Sequence, residues 1–169
     1  MRVYLAPGAS GNLAWLDPWA AGLTGHGYAV TLLGLPRGRA EAAVGAYRRS
    51  VPDVAGAVIG GQSFGGRVAS LLAAEVAPAG LVCLSYPLHP PGRPTEWERR
   101  TGHWPEIDCP VLLLSGESDP FARIDLLREA VGQLSRVTLV TYPRIGHGLN
   151  RVRGEALGAI IGWMERLDR

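Results

Sequence analysis

Lysine is absent from the sequence, so all 17 of its strongly basic residues are arginines. This absence excludes a phosphate-binding P-loop, whose lysine contacts the nucleotide phosphates, and any enzyme that forms a Schiff base through a lysine amine. The sequence also lacks a G-x-G-x-x-G stretch, the fingerprint of a dinucleotide-binding turn. We therefore expect no cofactor.

Cysteine is scarce, and long apolar runs are missing. The two cysteines, Cys83 and Cys109, lie in or just before apolar runs, which favours reduced core thiols over a disulfide, and no histidine stands at zinc-ligand spacing from them. We expect no metal site. No run approaches the roughly 18 apolar residues of a membrane helix. Only four residues separate Arg2 from Pro7, too few for the core of a signal peptide. We expect a cytoplasmic protein with no membrane contact.

Charge is present but not concentrated. The formal net charge is +2, and arginines are adjacent only at 48–49 and 99–100. Without a basic patch, we expect no binding to nucleic acid. With 169 residues, 47% of them hydrophobic and 19% charged, the chain fits a single globular domain spanning 1–169.

Short apolar runs alternate with helical patterns along the whole chain. Continuous apolar runs of strand length are typical of parallel strands covered on both faces. Apolar residues at helical spacing recur between them, and we expect Asp17 to cap the first helix, with Pro18 at its first position. The alternation predicts an α/β fold with a doubly wound, mostly parallel six-stranded sheet. The predicted strands are Val3–Ala6, Tyr28–Leu33, Gly56–Gly60, Gly80–Ser85, Val111–Ser115 and Val137–Tyr142.

One connection, residues 86–109, is longer than the others. It holds five prolines and two tryptophans and shows no sustained period, so we expect a lid-like loop with little helix. Trp97, Trp104 and Leu88 either shield the site and supply apolar surface for a short acyl group, or belong to the ordinary core. A loop of this size is too short to enclose a long acyl chain.

The stretch Gly61-Gln62-Ser63-Phe64-Gly65 is a G-x-S-x-G motif between a predicted strand and a predicted helix. This is the setting of a nucleophile elbow, whose sharp turn requires small residues two before and two after the serine. In a glycine-rich chain the pentapeptide also fits a plain strand-to-helix turn. Its meaning therefore depends on the partners that a serine nucleophile needs.

Those partners are a histidine base and a carboxylate that orients it, in the chain order serine, acid, histidine. Asp119 follows the fifth predicted strand and His147 follows the sixth, so all three side chains reach the same edge of the sheet. We expect Ser63, Asp119 and His147 to form a catalytic triad. Glu117 remains an alternative acid, and His89 and His103 in the 86–109 loop are alternative histidines. Asp108 and His26 precede their strands and lie at the wrong edge.

An oxyanion hole needs backbone N–H donors near the attacked carbonyl. One donor is expected from Phe64, the residue after the nucleophile. The other is expected from the glycine-containing turn after the first strand, where Ala9 is the first candidate and Ser10 the second.

The chain resembles the α/β-hydrolase superfamily, in a minimal form that lacks the two leading strands. Within it, the chain is similar to a small dienelactone-hydrolase-like group related to the testis-expressed and KANSL-type hydrolase-like proteins. The segments GGQSFGGRVAS, SYPLHPPGRP, SGESDPF and IGHGL carry this resemblance. It implies strand order 2-1-3-4-5-6, the same triad, and a pocket shaped by Tyr86, His89 and Arg67. Many relatives have His-Gly at the oxyanion turn, where this chain has Pro7-Gly8.

These observations predict a serine hydrolase that acts on a small-molecule ester or related acyl substrate. We expect Tyr86, His89 and Trp97 to contact that substrate. The alternative is a non-catalytic α/β-hydrolase-fold scaffold or interaction module, because a fold alone does not fix a function.

Overall fold

A six-stranded, entirely parallel sheet forms the centre of the protein in a computed structural model that describes residues 1–167. Its spatial order is β2-β1-β3-β4-β5-β6, which confirms the predicted fold class and strand order. The strands are β1 (Arg2–Ala6), β2 (Ala29–Leu32), β3 (Ala57–Gln62), β4 (Gly80–Leu84), β5 (Val111–Gly116) and β6 (Val137–Tyr142).

Helices cover both faces of the sheet, and each face has its own apolar core. The first and sixth helices of the chain pack on one face, whereas the second, third and fifth pack on the other. The central strands are buried on both sides, which explains their continuous apolar sequence. Within residues 1–167 no helix has the length and apolarity to cross a membrane. The helices are α1 (Asp17–Thr24), α2 (Ala40–Arg49), α3 (Phe64–Glu75), α4 (Trp97–Thr101), α5 (Ile124–Ala130) and α6 (Arg153–Leu167).

Two glycines allow α3 to start directly against the sheet. A Cβ atom at Gly61 would lie 2.3 Å from the backbone oxygen of Ala6, and a Cβ at Gly65 would lie 2.2 Å from the same oxygen. No side chain fits at either position without moving the backbone of β1. The requirement for small residues on both sides of Ser63 is therefore met by direct contact with the neighbouring strand.

The predicted cap of α1 is wrong. Leu16 is the capping residue, and Asp17 and Pro18 are the first two residues of the helix. A 3-10 turn at Leu13–Trp15 leads straight into α1, so the backbone of Leu16 is already near-helical and accepts the N–H of Ala20 at 2.9 Å. Asp17 still lies in the first turn, where a negative charge is favourable beside the helix dipole.

The 86–109 segment contains more helix than its prolines predicted. Helix α4 lies within it, between single 3-10 turns at Pro94–Glu96 and Trp104–Glu106. The prolines at 94 and 105 stand in the first two positions of those turns, where a missing N–H breaks no helical hydrogen bond. They start the turns instead of preventing them.

Candidate active site

Ser63, His147 and Asp119 meet at the carboxyl edge of the sheet. The Nε2 atom of His147 lies 2.8 Å from the Ser63 hydroxyl oxygen, although the two residues are 84 positions apart in the chain. The Nδ1 atom of the same ring lies 2.8 Å and 3.0 Å from the two carboxylate oxygens of Asp119. The three residues follow β3, β6 and β5, respectively. The structure thus brings together the three side chains selected from the sequence.

Ser63 has a backbone conformation that residues other than glycine rarely adopt. It connects β3 to α3 with φ of 48° and ψ of −109°. Hydrogen bonds hold this turn, because the Ser63 N–H donates to Leu84 of β4 at 2.8 Å and the Ser63 carbonyl accepts from Arg67 at 3.0 Å. Such local strain commonly marks functional sites. It presents the hydroxyl above the sheet edge, towards His147.

Asp119 fixes the orientation and the proton of His147. Its side chain is fully buried, and Oδ1 accepts the backbone N–H of Phe121 at 2.8 Å. Because an ionised carboxylate only accepts hydrogen bonds, the imidazole proton resides on Nδ1. Nε2 is then free to accept the hydroxyl proton of Ser63. The ring of Phe121 packs on the imidazole with centroids 4.4 Å apart, which further restricts its rotation.

Glu117, the alternative acid, has different partners. One of its oxygens accepts from the Thr141 hydroxyl at 2.8 Å and from the Arg128 guanidinium at 3.3 Å. Those bonds tie the end of β5 to β6 and α5. Of the two acids considered, Asp119 is the one that the structure places against His147.

His103 is paired with a different serine. Its Nε2 lies 2.8 Å from the hydroxyl of Ser70, which donates its own proton to the carbonyl of Arg67 at 2.8 Å. The imidazole is therefore the donor to Ser70. Burial, with a smaller effect of the Arg67 charge, lowers the pKa of His103 to about 4. This pair lacks the arrangement of a nucleophile and its base, and it joins the 86–109 segment to α3. His26 hydrogen-bonds the Gly22 carbonyl of α1.

The two expected oxyanion donors border the same cavity as Ser63. Phe64 is the first residue of α3, where backbone N–H groups have no partner within the helix. Ala9 lies across the cavity in the turn after β1. That turn fits tightly, because a Cβ at Gly8 would lie 2.1 Å from the side-chain oxygen of Gln62.

Tyr86 and Trp97 are not in the cavity lining, contrary to expectation. Tyr86 is 2% exposed, its ring packs edge-on against Trp104 at 5.1 Å, and its hydroxyl donates to the carbonyl of Arg100 at 2.6 Å. Burial raises the pKa of Tyr86 to about 12, which keeps it a neutral donor. Trp97 packs against the core on the α3 face, and Leu88 and Trp104 are themselves part of that core. The core alternative is correct for Trp104 and Leu88.

His89 is also placed behind the cavity. It is 3% exposed, its Nδ1 donates to the carbonyl of Pro90 at 2.9 Å, and its Nε2 accepts the backbone N–H of Arg123 at 3.0 Å. Tyr86, His89 and Trp97 thus lie outside the cavity lining and make packing contacts and hydrogen bonds around it, and their contact with a substrate stays a prediction. Sequence alone could not separate the two roles, because aromatic and imidazole groups serve both.

The cavity over Ser63 has a volume of about 630 Å³. Ala9, Phe64 and Phe121 line it close to the serine, and charged side chains form most of the remaining wall. Arg67, which the resemblance implied as a pocket residue, lines the cavity, whereas the other charged residues of this wall were not predicted from the sequence. The available signals for part of them were the arginines of the 86–109 segment. The charged lining residues are Arg39, Glu41, Arg67, Arg93, Glu96, Arg99 and Arg100.

A parallel sheet in this order, with a serine on a strained turn between β3 and α3, defines an α/β-hydrolase fold. The chain belongs to the alpha/beta hydrolase domain family, which residues 36–156 match.

Solved structures of proteins with low sequence identity to this chain share its fold. The monoacylglycerol lipase of Paleococcus ferrophilus is 16% identical, with a TM-score of 0.86 and coverage of 98% of this chain and 94% of that one. The thioesterase domain from the curacin biosynthetic pathway is 14% identical, with a TM-score of 0.78 and coverage of 95% and 90%. A structure of the metagenome-derived lipolytic enzymes LipS and LipT is 15% identical, with a TM-score of 0.73 and coverage of 98% and 93%.

Proposed function

We propose that the protein is a serine hydrolase that cleaves a small carboxylic ester or related acyl compound through an acyl-enzyme. The observation that carries this proposal is the continuous hydrogen-bonded series from the Ser63 hydroxyl through His147 to Asp119. A serine at an ordinary turn has no need of an imidazole aligned on its hydroxyl and backed by a buried carboxylate. The same geometry argues against a non-catalytic scaffold.

The first half of the reaction acylates the serine. Ser63 Oγ attacks the acyl carbonyl carbon, and His147 Nε2 takes the hydroxyl proton as the new C–O bond forms. The tetrahedral intermediate then collapses, its bond to the leaving group breaks, and His147 returns the proton to that group. Asp119 stabilises the imidazolium while it exists.

The second half releases the acid. A water molecule attacks the acyl carbon and gives one proton to His147, which passes it to Ser63 Oγ as the acyl bond breaks. In both halves the negative charge develops on the carbonyl oxygen, and the N–H groups of Phe64 and Ala9 are our candidates to receive it. The start of α3 adds the positive end of a helix dipole at the same place.

Known relatives by fold are consistent with acyl chemistry. The similar structures include a monoacylglycerol lipase, a thioesterase domain and lipolytic enzymes. Within the family, we propose that this chain is related to the small dienelactone-hydrolase-like and KANSL-type group, because four sequence segments resemble that group. The partner we propose is a small acyl molecule.

Labelling with a fluorophosphonate probe tests the nucleophile. We expect one phosphonylated residue, identified by peptide mass spectrometry as Ser63, and no labelling of Ser63→Ala. The matched control is Ser70→Ala. Ser70 also hydrogen-bonds a histidine, but it accepts the imidazole proton, so this histidine is not positioned to remove the serine proton. Labelling of Ser63→Ala at the original rate would overturn the proposal. Turnover in Ser63→Ala should fall by about 10⁵–10⁶-fold.

A further inference from the structure

The wall of the cavity carries more positive charge than it can neutralise internally. Five arginines line it, against two glutamates. Each glutamate is shared between two arginines instead of neutralising one. Glu41 lies 2.7 Å from Arg67 and 3.7 Å from Arg39. Glu96 is shared in the same way, at 3.0 Å from Arg93 and 3.9 Å from Arg99.

Arg100 is the arginine without a carboxylate. Within residues 1–167 no salt bridge involves it, and its Nη1 donates instead to the carbonyl of Pro87 at 2.8 Å. The residue is partly buried, and its backbone carbonyl accepts the Tyr86 hydroxyl proton at 2.6 Å. Burial, together with the positive charge of Arg67, lowers the pKa of Arg100. A fixed, partly desolvated cation therefore borders the cavity with its charge unpaired.

Arg67 adds a second guanidinium to the cavity that Ser63 also lines. It lies one helical turn along α3 from Ser63, and its backbone N–H donates to the Ser63 carbonyl at 3.0 Å. Its side chain is 18% exposed, and its Nε–H has no acceptor among the described residues. Although Glu41 pairs with it at 2.7 Å, water screens this mostly buried charge less than an exposed one, so we expect Arg67 to attract a negative group in the cavity.

We propose that this cavity binds an anionic oxygen group, a carboxylate or a phosphate, on the molecule that Ser63 cleaves. The planar, forked donors of guanidinium groups match the paired oxygens of carboxylates and phosphates. The substrate class is then an acyl compound that carries negative charge, and Arg67 and Arg100 determine the specificity. This inference rests on the proposed function of Ser63. The anionic group belongs either to the acyl part, as a second carboxylate, or to the leaving group, as a phosphate.

Two matched pairs of esters separate these sources. The first pair compares the mono-4-nitrophenyl ester of glutaric acid with 4-nitrophenyl pentanoate, which lacks the carboxylate. The second compares the acetate ester of 4-hydroxyphenyl phosphate with that of 4-methoxyphenol. We expect kcat/KM to favour the anionic member of one pair by about 10- to 100-fold, the usual size of a charged hydrogen bond. The pair that responds identifies the source. Equal or lower rates for both anionic esters would overturn the inference.

Arginine variants assign the preference to the cavity. Arg67→Met and Arg100→Met should each lower the ratio of kcat/KM for the preferred anionic ester to kcat/KM for its neutral partner by about 10-fold or more. Arg67→Lys keeps the charge and should retain part of the preference. Arg48→Met is the matched control, because Arg48 lies outside the cavity lining and pairs with Glu75 at 3.4 Å. Equal losses on charged and neutral esters would contradict a binding role.

Measuring anion binding to a variant that cannot turn over substrate separates the anion-site proposal from the serine hydrolase proposal. In Ser63→Ala, isothermal titration calorimetry with glutarate and with inorganic phosphate should detect binding of at least one, weakened by Arg100→Met. If neither anion binds while Ser63 is phosphonylated in the original protein, the anion site fails and the serine hydrolase stands. If anions bind but Ser63 cannot be phosphonylated, the hydrolase fails and the anion site stands.

Discussion

The imidazole Nε2 of His89 accepts the backbone N–H of Arg123 at 3.0 Å, and this bond joins the chain after β4 to the chain after β5. A second bond runs alongside it, from the N–H of His89 to the carbonyl of Phe121 at 2.9 Å. These two hydrogen bonds therefore attach residues 119–123 to the segment that follows β4. Since Asp119 lies at the start of this turn, we expect His89 to position the carboxylate that faces His147, although His89 is not itself among the residues that line the cavity.

Replacing His89 tests that positioning role. His89→Leu leaves the Arg123 N–H without an acceptor, so we expect the free energy of unfolding to fall by about 1–3 kcal/mol. We also expect kcat to fall with little change in KM, because the Asp119 turn loosens while the cavity wall remains. His89→Gln keeps an acceptor and should recover most of both losses. Denaturant unfolding and steady-state kinetics measure the two effects. Equal damage from leucine and glutamine would contradict this role.

Amide substitution of the two candidate acids should affect turnover very differently. Asp119→Asn presents an amide to His147 Nδ1, which favours the wrong tautomer, and turnover should fall by about 10⁴-fold. Glu117→Gln should leave turnover nearly unchanged, because Glu117 bonds to Thr141 and Arg128. The comparison requires kcat for both variants under one set of conditions. A large loss in Glu117→Gln with activity retained in Asp119→Asn would reverse the assignment.

Acid should destabilise the protein through His103. Its pKa is about 4 in the folded chain, against an ordinary value of 6.5, so the unfolded chain binds more protons between these two values. Stability is therefore lost as pH falls from about 6.5 to about 4, with a slope from this group of at most about 1.4 kcal/mol per pH unit.

His103→Gln can keep a donor to Ser70 and cannot titrate. Unfolding free energies measured at several pH values should show a shallower decline for this variant than for the original protein over that window. Identical slopes would show that another group dominates.

Replacement by alanine should destabilise the protein at Gly65 but not at Gly158, although both glycines lie in helices. Gly65→Ala places a methyl group against the backbone of β1, and overpacking of this kind costs about 1–3 kcal/mol. Gly158→Ala is the control. Apart from its chain neighbours and the backbone of α6 itself, no atom of residues 1–167 lies within 4 Å of the added Cβ, so the better helix propensity of alanine should stabilise by up to about 1 kcal/mol. Thermal unfolding of both variants measures the difference. Similar melting temperatures would contradict the close approach of α3 to β1.

The meeting of Ser63, Asp119 and His147 at one edge of the sheet could be predicted because it follows from topology. Once the strands are recognised as parallel, residues just beyond their carboxyl ends must share an edge, and this selects Asp119 and His147 and excludes Asp108. The observed strand limits differ from the predicted ones by one or two residues, as in β3, but this does not change the edge of the sheet at which Ser63 lies. These inferences depend on strand direction and order, which are robust to such shifts.

The wall of the cavity could not be predicted in the same way. Tyr86, His89 and Trp97 have chemistry that suits a pocket, but the side on which each faces is decided by how the 86–109 segment folds over α3. Arg99 and Arg100 were visible as a pair, yet only the turn at α4 shows that both border the cavity. Side-chain direction within an irregular segment is set by tertiary contacts that no local periodicity reports.

The left-handed backbone at Ser63 has a consequence for directed evolution. Glycine adopts this conformation without the cost of roughly 1–3 kcal/mol that other residues pay there, so Ser63→Gly should relieve the turn while abolishing chemistry. A library sorted only for cellular abundance or heat resistance would favour glycine at position 63 and accumulate inert survivors. Screens of this protein must therefore select for turnover as well as stability. Selection for stability favours glycine at position 63, whereas selection for turnover favours serine.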